Sequence, residues 1–253
     1  MSPLGVGLAS AGLIFGGALL GMALAKRLPP HHLSSDSRDA IKAGAGMISL
    51  MAALVLGLLV SSAKSHFDSA EEAMTAGGAK VILLDRALAH YGEESQAVRE
   101  HLRRAVAAGI EMMWPGEHGA TSGLVALERA NAMERMMDEI RALGPRTDAQ
   151  RALQAQAQQL GNELLLSRWL QIEEAQTSLP AGLLEVLLFW LTTLYVSFGL
   201  LAPRNATVLA VLLVGAASLA TAVFLILEMN DPMGGFVQVS SGPLRKAFEH
   251  LGR

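Results

Sequence analysis

Residues 43–63 read AGAGMISLMAALVLGLLVSSA, and this stretch contains no charged side chain. At a helical rise of about 1.5 Å per residue, it is long enough to cross the roughly 30 Å hydrocarbon core of a bilayer. Inside lipid every backbone N–H and C=O group must find its partner within the protein, so a segment of this length must be helical. The stretch therefore predicts a membrane-spanning helix, and it sets the class of fold.

Three more stretches have the same apolar character. Residues 4–25 are free of charge, and Lys26 and Arg27 follow them, whereas a cleaved signal peptide carries its basic residues in front of the apolar run. Residues 181–202 and 206–227 are separated only by a short turn. A connection of this length places the third and fourth helices antiparallel and in contact.

The composition of the whole chain favours a membrane protein. Hydrophobic residues make up 51% of it and charged residues 17%, whereas a soluble domain carries about a quarter charged residues. The absence of cysteine excludes disulfides, thiolate metal sites and a cysteine nucleophile. The net charge is −3 and there is no long basic run, so the sequence offers no surface for nucleic acid.

The long segment between the second and third spans is rich in charges of both signs and is expected to face water. Its apolar residues recur at helical spacing, and glycines and prolines punctuate the pattern. The pattern predicts helices at 81–92, at 93–114, at 123–143 and from Thr147 or Asp148 onward.

The sequence thus predicts an all-α integral membrane protein with four transmembrane helices in two hairpins and a helical extramembrane domain between them. The predicted segments are spans at 4–25, 43–63, 181–202 and 206–227, a loop at 26–42, the extramembrane domain at 64–178 and a tail at 228–253. In the tail, alternation over 236–239 predicts an extended segment, and 243–251 a short helix. Four spans place both termini and the extramembrane domain on one side of the membrane.

No motif in the sequence points to an enzyme, a cofactor or a metal. His31 and His32 are adjacent in a proline-rich turn and have no acidic partner motif around them. The AGGAK stretch at 76–80 lacks the spacing and the Ser or Thr of a phosphate-binding loop. Neither a serine nucleophile elbow nor a His-Glu-x-x-His pair occurs. We therefore expect a non-enzymatic protein without a cofactor.

Glu185 is the only acidic residue inside a predicted span. An ionised carboxylate in hydrocarbon costs at least about 2 kcal/mol, so such a residue needs a reason to be there. Because it lies near the start of its helix, its side chain can reach the interface. The other interpretation, which stays open, is a pore-lining or proton-sensing group in an oligomer.

Small residues in the first span offer two candidate packing faces. Gly12 and Gly16 are four residues apart, and so are Gly17 and Gly21. Glycines at this spacing lie on one helix face and allow a second helix to approach closely. Glycine is also common in membrane helices in general, and this explanation stays open.

Four stretches together resemble a known family. They are LPPHHLSSDSRDAI at 28–41, LVLGLLVSSAKSHFD at 54–68, LLDRALAHYG at 83–92 and LEMNDPMGGFVQVSSGPLR at 227–245. The sequence is similar to the bestrophin-like membrane proteins of bacteria and plastids, which are distant relatives of the bestrophins. Bestrophins are pentameric anion channels, so the resemblance implies a homo-oligomer that conducts ions.

The resemblance also implies roles for particular residues. The second helix of bestrophins lines the pore neck, which gives this role to Val55, Leu56 and Leu59. The motif after the last span corresponds to Asp231, Pro232 and Gly234. The sequence departs from bestrophins in three ways: residue 233 is Met where they have Phe, the aromatic neck side chains are missing, and the tail lacks an acidic calcium clasp. Calcium gating is therefore not expected.

Two functions and two orientations stay open at this point. The protein is either an ion channel or a non-conducting scaffold or signalling protein whose 64–178 domain binds a partner. Either form has the lipid bilayer as its environment, and the sequence suits a bacterial inner membrane. The basic residues of the 26–42 loop place that loop in the cytoplasm, whereas the resemblance places the extramembrane domain there.

Overall fold

The computed structural model describes residues 2–114, 123–176 and 181–252, and this part of the chain is helical with short connections and no strand. The helices are α1 Pro3–Arg27, α2 Ser35–Tyr91, α3 Gln96–Met113, α4 Gly123–Ala142, α5 Asp148–Gln176, α6 Ala181–Leu201, α7 Ala206–Met229 and α8 Gly242–His250. Short 3-10 turns lie at Pro30–Leu33 and Glu93–Ser95. Four helices, α1, α2, α6 and α7, are long and apolar enough to span a membrane. The predicted fold class, all-α with four spanning helices, is confirmed.

The chain divides into two compact units. We call Met1–Phe67 together with Ser178–Val237 the membrane unit, and Asp68–Thr177 together with Gln238–Arg253 the helical unit. The helix α2 contributes to both.

The structure differs from the sequence-based prediction at α2, which runs without interruption for 57 residues. The sequence predicted a loop at 26–42 and a separate helix at 81–92. Instead, the connection after α1 is short, and α2 begins directly after Ser34, whose Oγ accepts the Ser37 N–H at 3.4 Å as an N-cap. No proline lies between Pro30 and Pro115, so nothing in this stretch forces a helix to end.

Two glycines of α2 lie just before the segment for which the sequence predicts a separate helix. Gly77 and Gly78 weaken a helix intrinsically. A Cβ atom on Gly78 would lie 2.9 Å from the Pro243 carbonyl oxygen, so the glycine permits the tail to pack closely there. The helix ends at Gly92, whose φ of +124° favours glycine. Ser95 then donates its hydroxyl to the Gly92 carbonyl at 2.8 Å.

In the helical unit a buried apolar cluster lies between α2, α3, α4, α5 and α8. Leu84 of α2, Leu102 of α3 and Ile140 of α4 are fully buried within it. The tail contributes Ala247 and Leu251 to the same cluster. The Trp114 indole N–H also donates to the Val239 carbonyl at 3.0 Å, so the tail is part of the fold of this unit.

In the membrane unit, α1 and α6 pack along a seam of glycines. A Cβ atom on Gly21 would collide with the Val196 carbonyl oxygen, and one on Gly199 with the Ala18 carbonyl oxygen. Gly17 meets Thr192 and Gly21 meets Val196, so residue numbers increase together along the seam and α1 and α6 run parallel, as the first and third spans of a four-span protein must. Of the glycine pairs noted in the sequence, Gly17 and Gly21 form the seam. Gly12 and Gly16 have no neighbouring atom within 4 Å of a Cβ position.

Candidate functional site

Within the membrane unit, α2 is packed on one face and uncovered on the other. Its packed face joins a buried cluster with α1, α6 and α7, and includes Ala45, Ala52, Leu59 and Ala63. Its opposite face carries large apolar side chains that the chain leaves exposed: Met47, Leu50, Leu54 and Leu58. We call these four residues the exposed stripe. Residues three and four apart lie on one face of a helix, so the stripe is continuous.

The structure brings the three predicted neck residues together, but on the packed side of α2. Leu59 is only 4% exposed within its own chain, and Val55 and Leu56 pack against the same cluster. By contrast, Leu50 is 75% exposed and Leu54 66%. In this arrangement the exposed stripe is open to contact with another copy of the chain, whereas Leu59 is not.

Alanine positions alone do not identify the packed face of α2. Ala45, Ala52 and Ala63 lie on it, where a small side chain allows neighbouring helices to approach, but Ala43 and Ala53 are exposed. An apolar helix has no polar face to fix its rotation, so hydrophobicity alone could not choose between Leu56 and Leu54.

Glu185, the other predicted pore-lining residue, lies on α6 and is exposed. It occupies the second turn after Ala181, close to the end of the helix. The structure thus places it on a different helix from the exposed stripe.

The motif after the last span builds a compact turn. Asp231 donates its N–H to the Glu228 carbonyl at 3.1 Å, and Gly234 donates to the Asp231 carbonyl at 3.1 Å. Pro232 lies inside this turn, and the φ of +75° at Gly235 favours glycine. Residues 236–239 follow this turn and form no strand, and the extended segment that alternation there predicts stays a prediction.

Sequence reasoning missed Glu228, which is the residue that organises this turn. Its side chain is 2% exposed, and its carboxylate accepts the backbone N–H groups of Phe236 at 2.6 Å and Val237 at 3.3 Å. Successive N–H groups that converge in this way form a nest for an anion. An acid just before a run rich in Gly and Pro was the available signal, but the residue lay one position outside the predicted span.

Among the ion pairs of the helical unit are two that α2 makes, one with α3 and one with α5. Asp85 is buried and binds Arg99 through two bonds of 2.8 and 3.0 Å, which raises the pKa of the Arg99 guanidinium above its ordinary value. Lys80 lies 3.1 Å from Glu163, and its hydrogen bond lowers the pKa of that carboxyl. The Asp85 carboxylate also accepts the Gly252 N–H at 3.4 Å, so it connects α2, α3 and the tail.

A metal centre is not apparent in the part of the chain that the structure describes. No three His, Asp or Glu side chains come together there in a way that could hold an ion. The rings of His31 and His32 lie 4.3 Å apart and tilted, in contact with each other.

Comparison with known proteins identifies the family. The model of the bestrophin-like domain matches residues 12–244. The chain belongs to the bestrophin-like family. This confirms the resemblance drawn from the four sequence stretches. No curated protein matches the chain.

Solved structures share the fold of this bestrophin-like chain. A bacterial bestrophin homologue from Klebsiella pneumoniae is 14% identical, with a TM-score of 0.66 over 94% of this chain and 96% of that one. A point variant of the Klebsiella homologue is 15% identical, with a TM-score of 0.66 over 96% and 97%. A structure described only as a membrane protein variant is 13% identical, with a TM-score of 0.69 over 96% of both chains. At these identities the likeness concerns the fold.

Proposed function

We propose that this bestrophin-like protein is an ion channel of the bacterial inner membrane, assembled from several copies around an axis that the exposed stripe of α2 faces. The observation that carries the proposal is the uncovered apolar face of α2, directly opposite the face that packs on the subunit's own helices. A ring of such side chains excludes water when it is narrow and thereby controls conduction.

The chemistry of the same face beyond Leu58 supports a path for ions. Ser61 and Ser65 continue the stripe and are exposed. Hydroxyls in α6 and α7 mostly return to the carbonyl four residues earlier, as Thr192 does to Leu188 at 2.7 Å. Ser61 and Ser65 have no such bond, although every residue of α2 is described. Their hydroxyls are thus available to water or an ion leaving the apolar segment.

Several copies are needed because one helix cannot enclose a pore. A closed ring with rotational symmetry presents the same helix of each subunit to a common axis. In such a ring α1, α6 and α7, which pack on the opposite face of α2, lie behind it as seen from the axis. The stripe is then the surface nearest to the ions.

Leu54→Ala tests this function. Shortening the side chain widens the apolar ring and eases its wetting, so we expect ion flux into liposomes to rise. Leu213→Ala is the matched control, because Leu213 is a similarly exposed leucine on α7. The mass of each purified oligomer in detergent must be equal to that of the wild type before flux is compared. A wild type and a Leu54→Ala variant that are both monomeric, or both impermeable to every ion, would contradict the proposal.

A non-conducting role in partner binding is the second candidate, and one observation favours it. Leu166, Trp169 and Leu170 form an exposed apolar patch on α5, in the helical unit. Apolar patches of this kind are typical of protein contact surfaces. An intact oligomer without ion flux would make this function the better explanation.

A further inference from the structure

We propose that the membrane unit binds the headgroup of an anionic phospholipid at the end formed by the last turn of α1 and the turn between α6 and α7. The basic side chains that hold the phosphate are Lys26 and Arg27 on α1 and Arg204 in the turn. We call these three residues the basic cluster. The site goes beyond the proposed function, because its occupation does not depend on whether the protein conducts ions.

Arg204 brings its charge to the end of α1. Its Nη2 donates to the Met22 carbonyl oxygen at 2.7 Å, although the two residues are 182 positions apart in the chain. In an α-helix the carbonyl of each residue points toward the N–H four residues later, so this bond sets the guanidinium beside the backbone of Lys26. Charges from two distant parts of the sequence therefore meet at one place on the membrane unit.

The side chains of the basic cluster are open to a ligand, and all three are exposed. A guanidinium has five N–H groups. Arg204 donates one of them to Met22, and the others have no partner in the part of the chain that the structure describes. Lys26 and Arg27 make no ion pair with any described residue. Phosphate oxygens are acceptors that a guanidinium binds in pairs, so the cluster matches a phosphate group.

Acidic side chains near the basic cluster are too few to neutralise it. The sequence of α1 contains none, and there is none between Glu185 and Glu228. These two acids lie toward the far ends of α6 and α7, at least about 20 Å away along the helices. The first two turns of α2 carry two acids and two basic residues, of which Lys42 and Asp39 lie 2.9 Å apart. The positive charge of the cluster therefore favours an anion.

The surroundings of the basic cluster favour a lipid over a soluble anion. Leu20 and Leu24 are exposed in the two turns of α1 that precede it, and Leu209 is exposed in the first turn of α7 that follows it. A phospholipid carries its phosphate and its acyl chains in the same order, from the interface into the membrane. Basic pockets between spanning helices bind acidic lipid headgroups in this way. Free phosphate would gain nothing from the exposed leucines.

Retention of lipid by the purified full-length protein tests the proposal. The protein is incubated in detergent with equal amounts of phosphatidylglycerol and phosphatidylcholine of the same acyl chains, re-isolated by size exclusion, and its bound lipids are quantified. We expect retention of phosphatidylglycerol over phosphatidylcholine. Arg204→Gln should lower this ratio about fivefold, and Lys26→Gln/Arg27→Gln about 25-fold, from the typical contribution of one basic residue at an anionic membrane surface.

Arg146→Gln is the matched control. Arg146 is 80% exposed and lies in the helical unit, so this variant loses the same charge outside the basic cluster and should keep the wild-type ratio. Should Arg204→Gln disturb the turn itself, Lys26→Gln/Arg27→Gln decides, because it leaves the bond to Met22 in place.

Four results overturn the proposal. The first is a wild type that retains both lipids equally, and the second is an equal loss in Arg146→Gln and Arg204→Gln. The third is displacement of phosphatidylglycerol by excess inorganic phosphate, which would make a soluble anion the ligand. The fourth is an oligomer that dissociates in the Lys26→Gln/Arg27→Gln variant while the lipid ratio stays at the wild-type value, because a second copy would then cover the basic cluster.

Discussion

At the scale of single residues, the glycines of α1 show what spacing can and cannot predict. The sequence marked two pairs at the spacing that permits close helix contact. Of these, only Gly17 and Gly21 contact α6. Gly199 of α6 also lies in this contact, so neither helix has a side chain there to hold the two backbones apart. Which of the two faces packs depends on the partner's side chains, and these are far away in the sequence.

Gly199→Ala is expected to destabilise the membrane unit by about 1–3 kcal/mol, the usual cost of adding a methylene group to a packed core. The new Cβ would collide with the Ala18 carbonyl oxygen, and a backbone atom cannot move aside as a side chain can. Thermal unfolding of the detergent-solubilised protein measures the change. Gly16→Ala is the control and should leave stability nearly unaltered, because the space around Gly16 is open. Equal losses in both variants would argue against the seam.

At the scale of elements, the four spans followed from length and absence of charge, whereas the continuity and rotation of α2 did not. Gly77 and Gly78 weaken a helix intrinsically, but α2 continues through them, and the tail packs against Gly78. The rotation of α2 depends on which apolar side chains find partners on α1, α6 and α7. In a helix that is apolar on every side, tertiary contacts decide which face packs. The sequence alone therefore could not show that Val55, Leu56 and Leu59 lie on the packed side and Leu54 on the exposed side.

The way α2 is turned toward its own subunit predicts which substitutions on this helix lower the stability of the folded subunit. Leu59 is buried in the cluster of its own subunit, so Leu59→Ala should cost about 2–5 kcal/mol. Leu58→Ala removes the same atoms from a side chain that is 62% exposed, and its cost to the folded subunit should be much smaller. Unfolding in a graded denaturing detergent compares the two neighbours directly. The reverse order of stability would place the packed face of α2 on the other side.

At the scale of the whole molecule, the account depends on assembly. A single subunit leaves the large side chains of the stripe without protein partners. Lipid could cover an apolar face of this kind, but the exposed hydroxyls of Ser61 and Ser65 on the same side of α2 favour contact with water. The proposed axis between copies would bring these hydroxyls into contact with water.

The most direct test of this account is a cysteine scan of α2, and the chain has no native cysteine to remove. Single variants Leu50→Cys, Leu54→Cys and Leu58→Cys are treated with a charged, membrane-impermeant thiol reagent while ion flux into liposomes is recorded. The account predicts block at these three positions, and none at Ala52→Cys or Leu59→Cys, which lie on the packed face. Block at Ala52 and Leu59 but not at Leu54, or block that does not follow the helical repeat, would contradict it.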